Sequence, residues 1–203
     1  MGTDFIKAWY TRKSRRNKLE EAIMNSLGYT LLSMLVRKPC SGYELKGYLE
    51  LFWQAHHSQI YPLLTKLEAS GYVVYISEND PVHKKIYSIT DEGKAFLQEW
   101  IEGKTAKPIT RDEFLGKLYA VSIIDSNRVK ELFEERKSYF QKLAEIHKKT
   151  LTEIETQFGP DLDGEGWESS FGRYLICKRR YDMDLSELEW CEWAEKLYEK
   201  KFK

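Results

Sequence analysis

The chain has 203 residues, and 32 lysines and arginines balance 32 aspartates and glutamates, so its formal net charge is zero. That balance is unusual for a protein that binds nucleic acid, because such proteins are typically basic. The longest apolar stretch without a charge, residues 23–36, is shorter than the roughly 20 residues that a transmembrane helix needs. Three cysteines without C-x-x-C spacing provide no disulfide framework, and no secretory signal pattern opens the chain. We therefore expect a cytoplasmic protein that makes no membrane contact.

Changes in composition divide the chain into four predicted segments. Residues 1–24 form a basic extension, 25–102 a first domain, 103–109 a linker, and 110–203 a helical domain. In the extension, Arg12, Arg15 and Arg16 lie in a stretch in which five of seven residues are basic. This extension is either an arm that grips a phosphate backbone or a solvated tail, and the sequence leaves both interpretations open.

Three helices are predicted at the start of the first domain. Apolar residues at helical spacing indicate a helix that must end before Pro39, because the residue before a proline disfavours helical backbone. Ser41 and the glutamate three residues later have the spacing of a capping box, so a second helix is expected from Ser41 to about residue 51. A third helix is expected from near Ser58 to residue 71, with Pro62 in its first turn.

After residue 71 the apolar period changes from 3.6 to 2, as it does in strands. Residues 72–77 and 84–89 are rich in β-branched and aromatic side chains, and the polar residues between them indicate a turn. Thr90 is expected to cap a further helix whose first turn is acidic. Three helices and a hairpin in this order predict a winged helix-turn-helix.

The second domain is predicted to be entirely helical. The expected fold class is therefore mainly α, with an α+β winged helix-turn-helix followed by an all-α C-terminal domain. Thr110 begins another capping box, a long helix follows Ser126 and ends at Gly159, and a last helix follows Gly166. Because amphipathic helices of this length usually pack against a partner, we expect a homodimer.

The predicted third helix has two contrasting faces. Its apolar residues fall within about 100° of one another on a helical wheel, which predicts a buried face; they are Ile60, Leu63, Leu64 and Leu67. The opposite face carries Ser58, Pro62, Thr65 and Ala69, with Tyr61 beside them. Small uncharged side chains that form hydrogen bonds suit close entry into a DNA major groove. The alternative is an ordinary solvated face, although such faces usually carry more charge.

Lysines mark the tip of the predicted hairpin. Lys84 and Lys85 follow His83 at the end of the polar turn. Lysine at such a tip neutralises a phosphate or approaches a minor groove. Lysine also protects an exposed edge strand from pairing with other chains, and this second interpretation stays open.

The sequence contains no recognisable catalytic or metal-binding motif. Four histidines lack the spacing of a zinc site, and H-E-x-x-H, P-loop, G-x-S-x-G and G-x-G-x-x-G patterns are all missing from it. We therefore expect neither an enzyme, nor a metal site, nor a cofactor.

Aromatic side chains are frequent in the second half and raise the question of a small-molecule effector. Arg173, Tyr174 and Arg179 would suit an aromatic carboxylate, since flat aromatic walls and a cation bind such ligands. Trp100 is the third candidate effector-binding residue, with Arg173 and Tyr174. An aromatic stripe at helical spacing is more often a core or a dimer interface, and that interpretation is favoured. Cys177 and Cys191 are expected to be buried structural thiols.

Four stretches resemble the PadR family of bacterial transcriptional regulators. They are LGYTLL at 27–32, SGYELK at 41–46, SQIYPLLTKLE at 58–68 and YSITDEG at 87–93. The resemblance covers about residues 25–102 and implies a transcription-regulating repressor that binds near-palindromic operators as a dimer and leaves DNA when a small effector binds. It also implies that Tyr61 and its neighbours contact DNA and that Lys84 and Lys85 form the wing tip.

The sequence thus predicts a dimeric, sequence-specific regulator in which each protomer reads half of an inverted repeat in double-stranded DNA. The candidate DNA contacts are Arg12, Arg15, Arg16, Ser41, Tyr43, His57, Ser58, Gln59, Tyr61, Pro62, Thr65, Lys66, Lys84 and Lys85. Two alternatives are a winged helix that docks onto a protein and a ligand sensor without DNA binding. An acidic outer face on the third helix would favour docking onto a protein, and only Glu68 lies near its edge.

Overall fold

The computed structural model describes residues 25–50, 53, 56–77, 85–108 and 111–202. They divide into two compact units, with the boundary between Lys104 and Thr105. The basic extension with Arg12, Arg15 and Arg16 lies outside the described residues, as do the polar turn with Lys84 and the predicted cap Thr110.

The first unit has the predicted order of a winged helix. Its helices are α1 (Ser26–Arg37), α2 (Gly42–Leu49), α3 (His57–Ala69) and α4 (Asp91–Ile101), and its strands are β1 (Cys40–Ser41), β2 (Val73–Ser77) and β3 (Lys85–Ile89). The strands form an antiparallel sheet in the order β1-β3-β2. The sequence did not predict β1, because two residues are too few to display a strand period.

Helix α1 forms one wall of the core of the first unit. Asn25 caps it by accepting a hydrogen bond from the Gly28 amide, and the helix ends at Arg37 because Lys38, before Pro39, is extended. The fully buried side chains between α1, α2, α3 and the sheet are Leu31, Leu32, Cys40, Leu45, Leu49, Ile60, Leu64, Leu67 and Val73. Each buried leucine contributes about 2 kcal/mol, so this core fixes α3 against the rest of the unit.

Helix α3 begins one residue earlier than predicted and ends two residues earlier. The Gln59 carboxamide oxygen accepts a hydrogen bond from the His56 amide, which starts the helix at His57. The prediction that Pro62 lies in the first turn is therefore wrong, because Pro62 is the sixth helical residue. At the other end Gly71 has φ of +76° and closes a Schellman-type cap, with its amide bonded to the Glu68 carbonyl. This glycine turns the chain out of α3 and into the wing.

The junction between β3 and α4 explains the glycine at the end of the YSITDEG stretch. Thr90 donates from its hydroxyl to the Gly71 carbonyl over 2.7 Å and accepts from the Gly93 amide over 3.0 Å. A Cβ on Gly93 would lie 2.2 Å from the Tyr72 carbonyl oxygen, so only glycine fits. The predicted cap at Thr90 is confirmed, and it also ties α4 to the chain between α3 and β2.

The second unit contains helices α5 (Glu113–Tyr119), α6 (Ser126–Phe158) and α7 (Glu168–Phe202), with a short 3-10 turn at Val121–Ile123. Its cap prediction needs a correction: Asp112 caps α5 by accepting from the Phe114 amide over 3.0 Å. Helices α6 and α7 run antiparallel, since side-chain pairs join residue 137 to 195, residue 147 to 184 and residue 155 to 174. Gly159, with φ of +84°, ends α6 as predicted.

No helix in the described ranges is both long and apolar enough to cross a membrane.

Candidate nucleic-acid interface

Helix α3 separates its buried and exposed faces as the helical wheel predicts. Ile60, Leu64 and Leu67 are completely buried, and Leu63 nearly so. The exposed face consists of Ser58, Gln59, Tyr61, Pro62, Thr65, Lys66 and Ala69. Helix α3 is therefore a rigidly seated element whose outer face is largely small and uncharged.

The two most specific sequence motifs meet in space at the start of α2. A Cβ on Gly42 would lie 2.8 Å from Cε1 of Tyr61 and 3.2 Å from its hydroxyl oxygen. The tyrosine ring thus lies directly against the backbone of Gly42, although the two residues are nineteen positions apart. This packing fixes the direction in which Tyr61, 45% exposed, leaves α3.

Ser41 is not an exposed contact residue. It is 3% exposed, its hydroxyl donates to the Glu44 carboxylate over 2.6 Å, and it accepts from the Glu44 amide over 3.2 Å. The predicted capping box is confirmed, and Ser41 caps the N-terminus of α2. Tyr43, two residues further on, is 74% exposed and follows Gly42 directly.

Hydrogen-bonding groups on the exposed face of α3 are partly used within the helix. Thr65 donates its hydroxyl to the Tyr61 carbonyl over 3.1 Å, which leaves its oxygen as an acceptor. Gln59 uses its carbonyl oxygen to cap α3, which leaves its amino group as a donor. The side chain of His57, another candidate, lies outside the described atoms. The face therefore offers both donors and acceptors next to small side chains.

Positive charge lies beside this face. Lys66 is exposed on α3 itself, and Lys85 is exposed at the start of β3. The ammonium of Lys85 lies 3.8 Å from the ring centroid of Tyr75. A hydrogen bond to the Tyr75 side chain raises the pKa of Lys85, so this wing lysine stays charged at any physiological pH.

The candidate effector residues fall in different units. Trp100 belongs to α4 of the first unit, where its ring stacks on Tyr29 at 4.9 Å and is 42% exposed. Arg173 and Tyr174 belong to α7 of the second unit, where the Tyr174 hydroxyl donates to Glu155 over 3.3 Å. Burial and the nearby Glu155 carboxylate both raise the pKa of Tyr174, so its phenol remains a donor.

The helical pair contains a buried polar contact that the sequence pattern did not predict. His147 Nδ1 and Asp184 Oδ2 are 2.6 Å apart, and both residues are 3% exposed. Burial raises the pKa of Asp184, against the lowering effect of His147. Cys177 donates from its thiol to the His147 carbonyl over 3.3 Å. His147 has apolar-type spacing along α6, but nothing in the sequence assigns it a partner 37 residues away.

A second unpredicted contact ties three helices together around Arg136. Its guanidinium binds Asp112 at the start of α5 and Glu187 on α7, each over 2.8 Å at the closest. The rings of Phe114 and Phe140 flank it at 4.5 and 4.9 Å. This clamp fixes the first turn of α5 to the α6–α7 pair.

All three cysteines are buried and free, as the sequence predicts for Cys177 and Cys191. Burial raises the pKa of Cys191 to about 11, so it is a protonated, unreactive thiol at neutral pH. Within the described ranges, no cluster of histidine, cysteine and carboxylate side chains could hold a metal ion.

Comparisons with known proteins agree with this geometry in both units. The sequence model of the PadR-like family of transcriptional regulators matches residues 31–99. A second sequence model, that of the virulence activator alpha C-terminal region, matches residues 110–199. The negative transcriptional regulator PadR of Bacillus subtilis is 29% identical over 180 residues, which cover 83% of this chain and 95% of the relative.

Residues 31–99 form a domain of the PadR-like family of transcriptional regulators.

Two crystal structures of a PadR-family protein, Bacillus subtilis PadR, resemble the present structure over both units. The complex with operator DNA has a TM-score of 0.64 at 26% identity and covers 86% of this chain and 98% of that one. The complex with p-coumaric acid has a TM-score of 0.54 at 26% identity and covers 86% and 99%. The mainly α class, with a winged helix followed by a helical unit, is thereby confirmed.

Proposed function

We propose that the protein is a dimeric repressor that binds an inverted-repeat operator through α3 and leaves it when a small aromatic acid binds. The observation that carries this proposal is the exposed face of α3, on which Tyr61 is held against Gly42. Bacillus subtilis PadR, a relative of similar length, forms a complex with operator DNA.

The dimensions and chemistry of α3 support entry into the major groove. A helix with its side chains is about 10–12 Å across, close to the roughly 12 Å width of the groove. Ser58, Pro62, Thr65 and Ala69 are short, so the helix backbone can approach the base edges. Tyr61, Gln59 and Lys66 are longer and lie beside them, within reach of bases and phosphates.

The distribution of positive charge in the chain should give only modest affinity for DNA of unrelated sequence. Residues 1–18 carry six basic side chains against one acidic side chain, although the whole chain is neutral. Lys85 and Lys66 add positive charge beside α3. Because few phosphates are neutralised in this arrangement, discrimination between sequences rests mainly on α3 and on the spacing of two half-sites.

The surface of α7 supports a dimer formed by the second unit. The buried residues of α7 recur every seven positions and are small or polar: Ser170, Cys177, Asp184 and Cys191. Large apolar side chains lie away from this seam, and in the half of α7 up to residue 185 four of them are more than two-fifths exposed: Phe171, Leu175, Met183 and Leu185. A solvated helix rarely exposes so many, so a second copy is the partner that we propose to cover them.

A small aromatic acid is the proposed effector, because Bacillus subtilis PadR forms a complex with p-coumaric acid. Arg173 and Tyr174 are adjacent on α7 and offer a cation and an aromatic ring. Trp100, in the other unit, stays a candidate through its exposed ring.

The proposal is tested with fluorescently labelled DNA from upstream of the protein's own gene. Tyr61→Ala is expected to weaken binding to this DNA more than binding to a scrambled duplex, and Tyr61→Phe separates the hydroxyl from the ring. Lys85→Ala is expected to weaken both equally and to reduce the salt slope by about one. Lys94→Ala, an exposed lysine on α4, is the matched control. Equal loss of discrimination in the Tyr61 and Lys85 variants would contradict these roles.

The dimer is tested separately by size-exclusion chromatography with light scattering. The wild type is expected to have twice the mass of one chain at micromolar concentration. Leu175→Glu places a charge on the exposed apolar face of α7 and is expected to shift the mass toward the monomer. A monomeric wild type would refute the dimer without bearing on α3.

A further inference from the structure

One end of the helical unit contains a cavity of about 260 Å³. It lies among α5, the 3-10 turn, the start of α6 and the end of α7. Its walls include Leu118, Val121, Phe133, Trp193 and Leu197. Trp193 is 58% exposed and Leu197 41% exposed, so the cavity is open on one side. This end lies far along α7 from Arg173 and Tyr174, because about 20 residues of helix span about 30 Å.

The cavity has few polar groups, and the charged side chain among its described lining residues is positive. Lys201 is exposed and lines the cavity, and no carboxylate is among the described lining residues. Tyr198 lines it as well, and its hydroxyl lies 3.3 Å from the Ser126 hydroxyl. An apolar cavity with one cation and one phenol at its edge is complementary to a flat apolar ligand that carries one negative charge.

The size of the cavity narrows this ligand class. An apolar cavity of about 150 Å³ holds a benzene ring. A volume of 260 Å³ therefore accommodates one aromatic ring together with a short carboxylate arm, but not a large polycyclic compound. Phe133 and Trp193 supply flat walls against which such a ring packs.

We propose that this cavity binds a single-ring aromatic carboxylate, with the ring between the aromatic walls and the carboxylate at Lys201. The inference rests on the proposed function in taking a small acid as the effector, and it assigns that acid to a site other than Arg173 and Tyr174. Leu118 and Val121 belong to the first elements after the boundary between the units, at Lys104 and Thr105. A ligand that packs against them acts on the segment that leads to the DNA-binding unit.

The clamp at Arg136 gives this segment a defined resting position. It holds Asp112, the cap of α5, to both long helices, while none of the seven residues of α5 is buried. A helix held by its first turn and by a few apolar contacts shifts more easily than a buried one. Ligand packing against Leu118 therefore has a movable element on which to act.

The test is isothermal titration of the full-length dimer with three probes: benzoate, p-coumarate and the methyl ester of p-coumarate. We expect p-coumarate to bind and its uncharged ester to bind more weakly. Lys201→Ala is expected to raise the Kd for p-coumarate roughly threefold to tenfold, and Lys201→Arg to restore most of the affinity. Lys200→Ala, an adjacent exposed lysine that does not line the cavity, should leave the Kd unchanged.

A second variant fills the cavity without removing charge. Ala194→Phe adds a ring to a lining residue and is expected to abolish binding, with thermal denaturation checking that the unit stays folded. The proposal is overturned if neither acid binds wild type at about 1 mM. A second copy that covers the cavity in the dimer would give this result. The proposal is also overturned if Arg173→Ala abolishes binding while Lys201→Ala and a folded Ala194→Phe leave it intact.

The DNA assay separates this inference from the proposed function. Operator binding without ligand, combined with no acid in the cavity, refutes the cavity alone. Acid binding that depends on Lys201, combined with no operator binding, refutes the repressor and leaves the cavity in place. Release of operator DNA by p-coumarate in wild type but not in Lys201→Ala would support both.

Discussion

Replacing Gly42 with alanine is a sharp test of the contact between α2 and α3. The new Cβ would lie 2.8 Å from Cε1 of Tyr61 and 3.1 Å from Cζ. Ordinary contacts between carbon atoms span about 3.5–4.0 Å, so the ring has to move by roughly 1 Å. An O–H···O hydrogen bond spans only about 2.5–3.0 Å, so such a shift breaks a contact made by the hydroxyl.

The expected size of the effect follows from the loss of one hydrogen bond to a base edge. A neutral bond of this kind from the Tyr61 hydroxyl contributes about 0.5–1.5 kcal/mol, which corresponds to a loss of about twofold to tenfold in DNA affinity. Gly42→Ala should not lower the free energy of unfolding. Gly42 is the first residue of α2 and is not among the glycines with positive φ, and alanine favours a helix over glycine by about 1 kcal/mol.

Fluorescence anisotropy with labelled operator DNA measures the affinity, and thermal denaturation measures stability in parallel. Gly47→Ala is the matched control, because it lies in the same helix and a Cβ there meets no atom within 4 Å. Gly42→Ala is expected to lose affinity and keep its melting temperature, and Gly47→Ala to keep both. Wild-type affinity in Gly42→Ala, or an equal loss in Gly47→Ala, would refute the role assigned to this contact.

Three further predictions concern stability and are checked by urea unfolding at fixed protein concentration. Gly93→Ala should lower the free energy of unfolding by about 3 kcal/mol, because its Cβ would meet the Tyr72 carbonyl oxygen at 2.2 Å; a change below about 0.5 kcal/mol would contradict this. The Arg136 guanidinium lowers the pKa of Asp112 below 3.8, so wild type loses stability as pH falls through that lowered pKa, and Arg136→Met should lose less on acidification. Parallel pH profiles would argue against the clamp. Asp184→Ala leaves a buried histidine without its partner and should cost about 3 kcal/mol, so an unchanged midpoint would be inconsistent with a buried pair.

Local patterns in the sequence predicted much of this fold. The faces of α3 followed from apolar spacing, because the 3.6-residue period alone determines which residues lie together. The caps at Ser41 and Thr90 followed from side chains that bond to backbone amides a few residues away. Such features depend on neighbours in the chain, so one sequence is enough to find them.

Contacts between distant residues could not be predicted in the same way. The packing of Tyr61 on Gly42 explains why both motifs are present, but it appears only once α2 and α3 are in place. Ser41 was predicted as a DNA contact because it lies in a motif, whereas its burial depends on the pairing of β1 with β3. The partner of His147 lies on another helix, so its ordinary apolar spacing gave no sign of a polar bond.

The second unit was predicted as helical, but its surface chemistry was not. Cys177 and Cys191 were expected to be buried, and they are. The aromatic stripe of α7 was expected to form a core or a dimer interface, and Trp193 is 58% exposed within one protomer. Periodicity identifies an apolar residue without saying whether the same chain or a second copy covers it.

A competition experiment tests whether α3 reads a specific DNA sequence. Labelled DNA from upstream of the protein's own gene is bound at low salt and again at physiological salt, against an unlabelled scrambled duplex. We expect saturable binding by two protomers per site, with preference for the upstream DNA that persists as salt rises while the scrambled duplex stops competing. No binding at low salt, or equal affinity for both duplexes at every salt concentration, would contradict it.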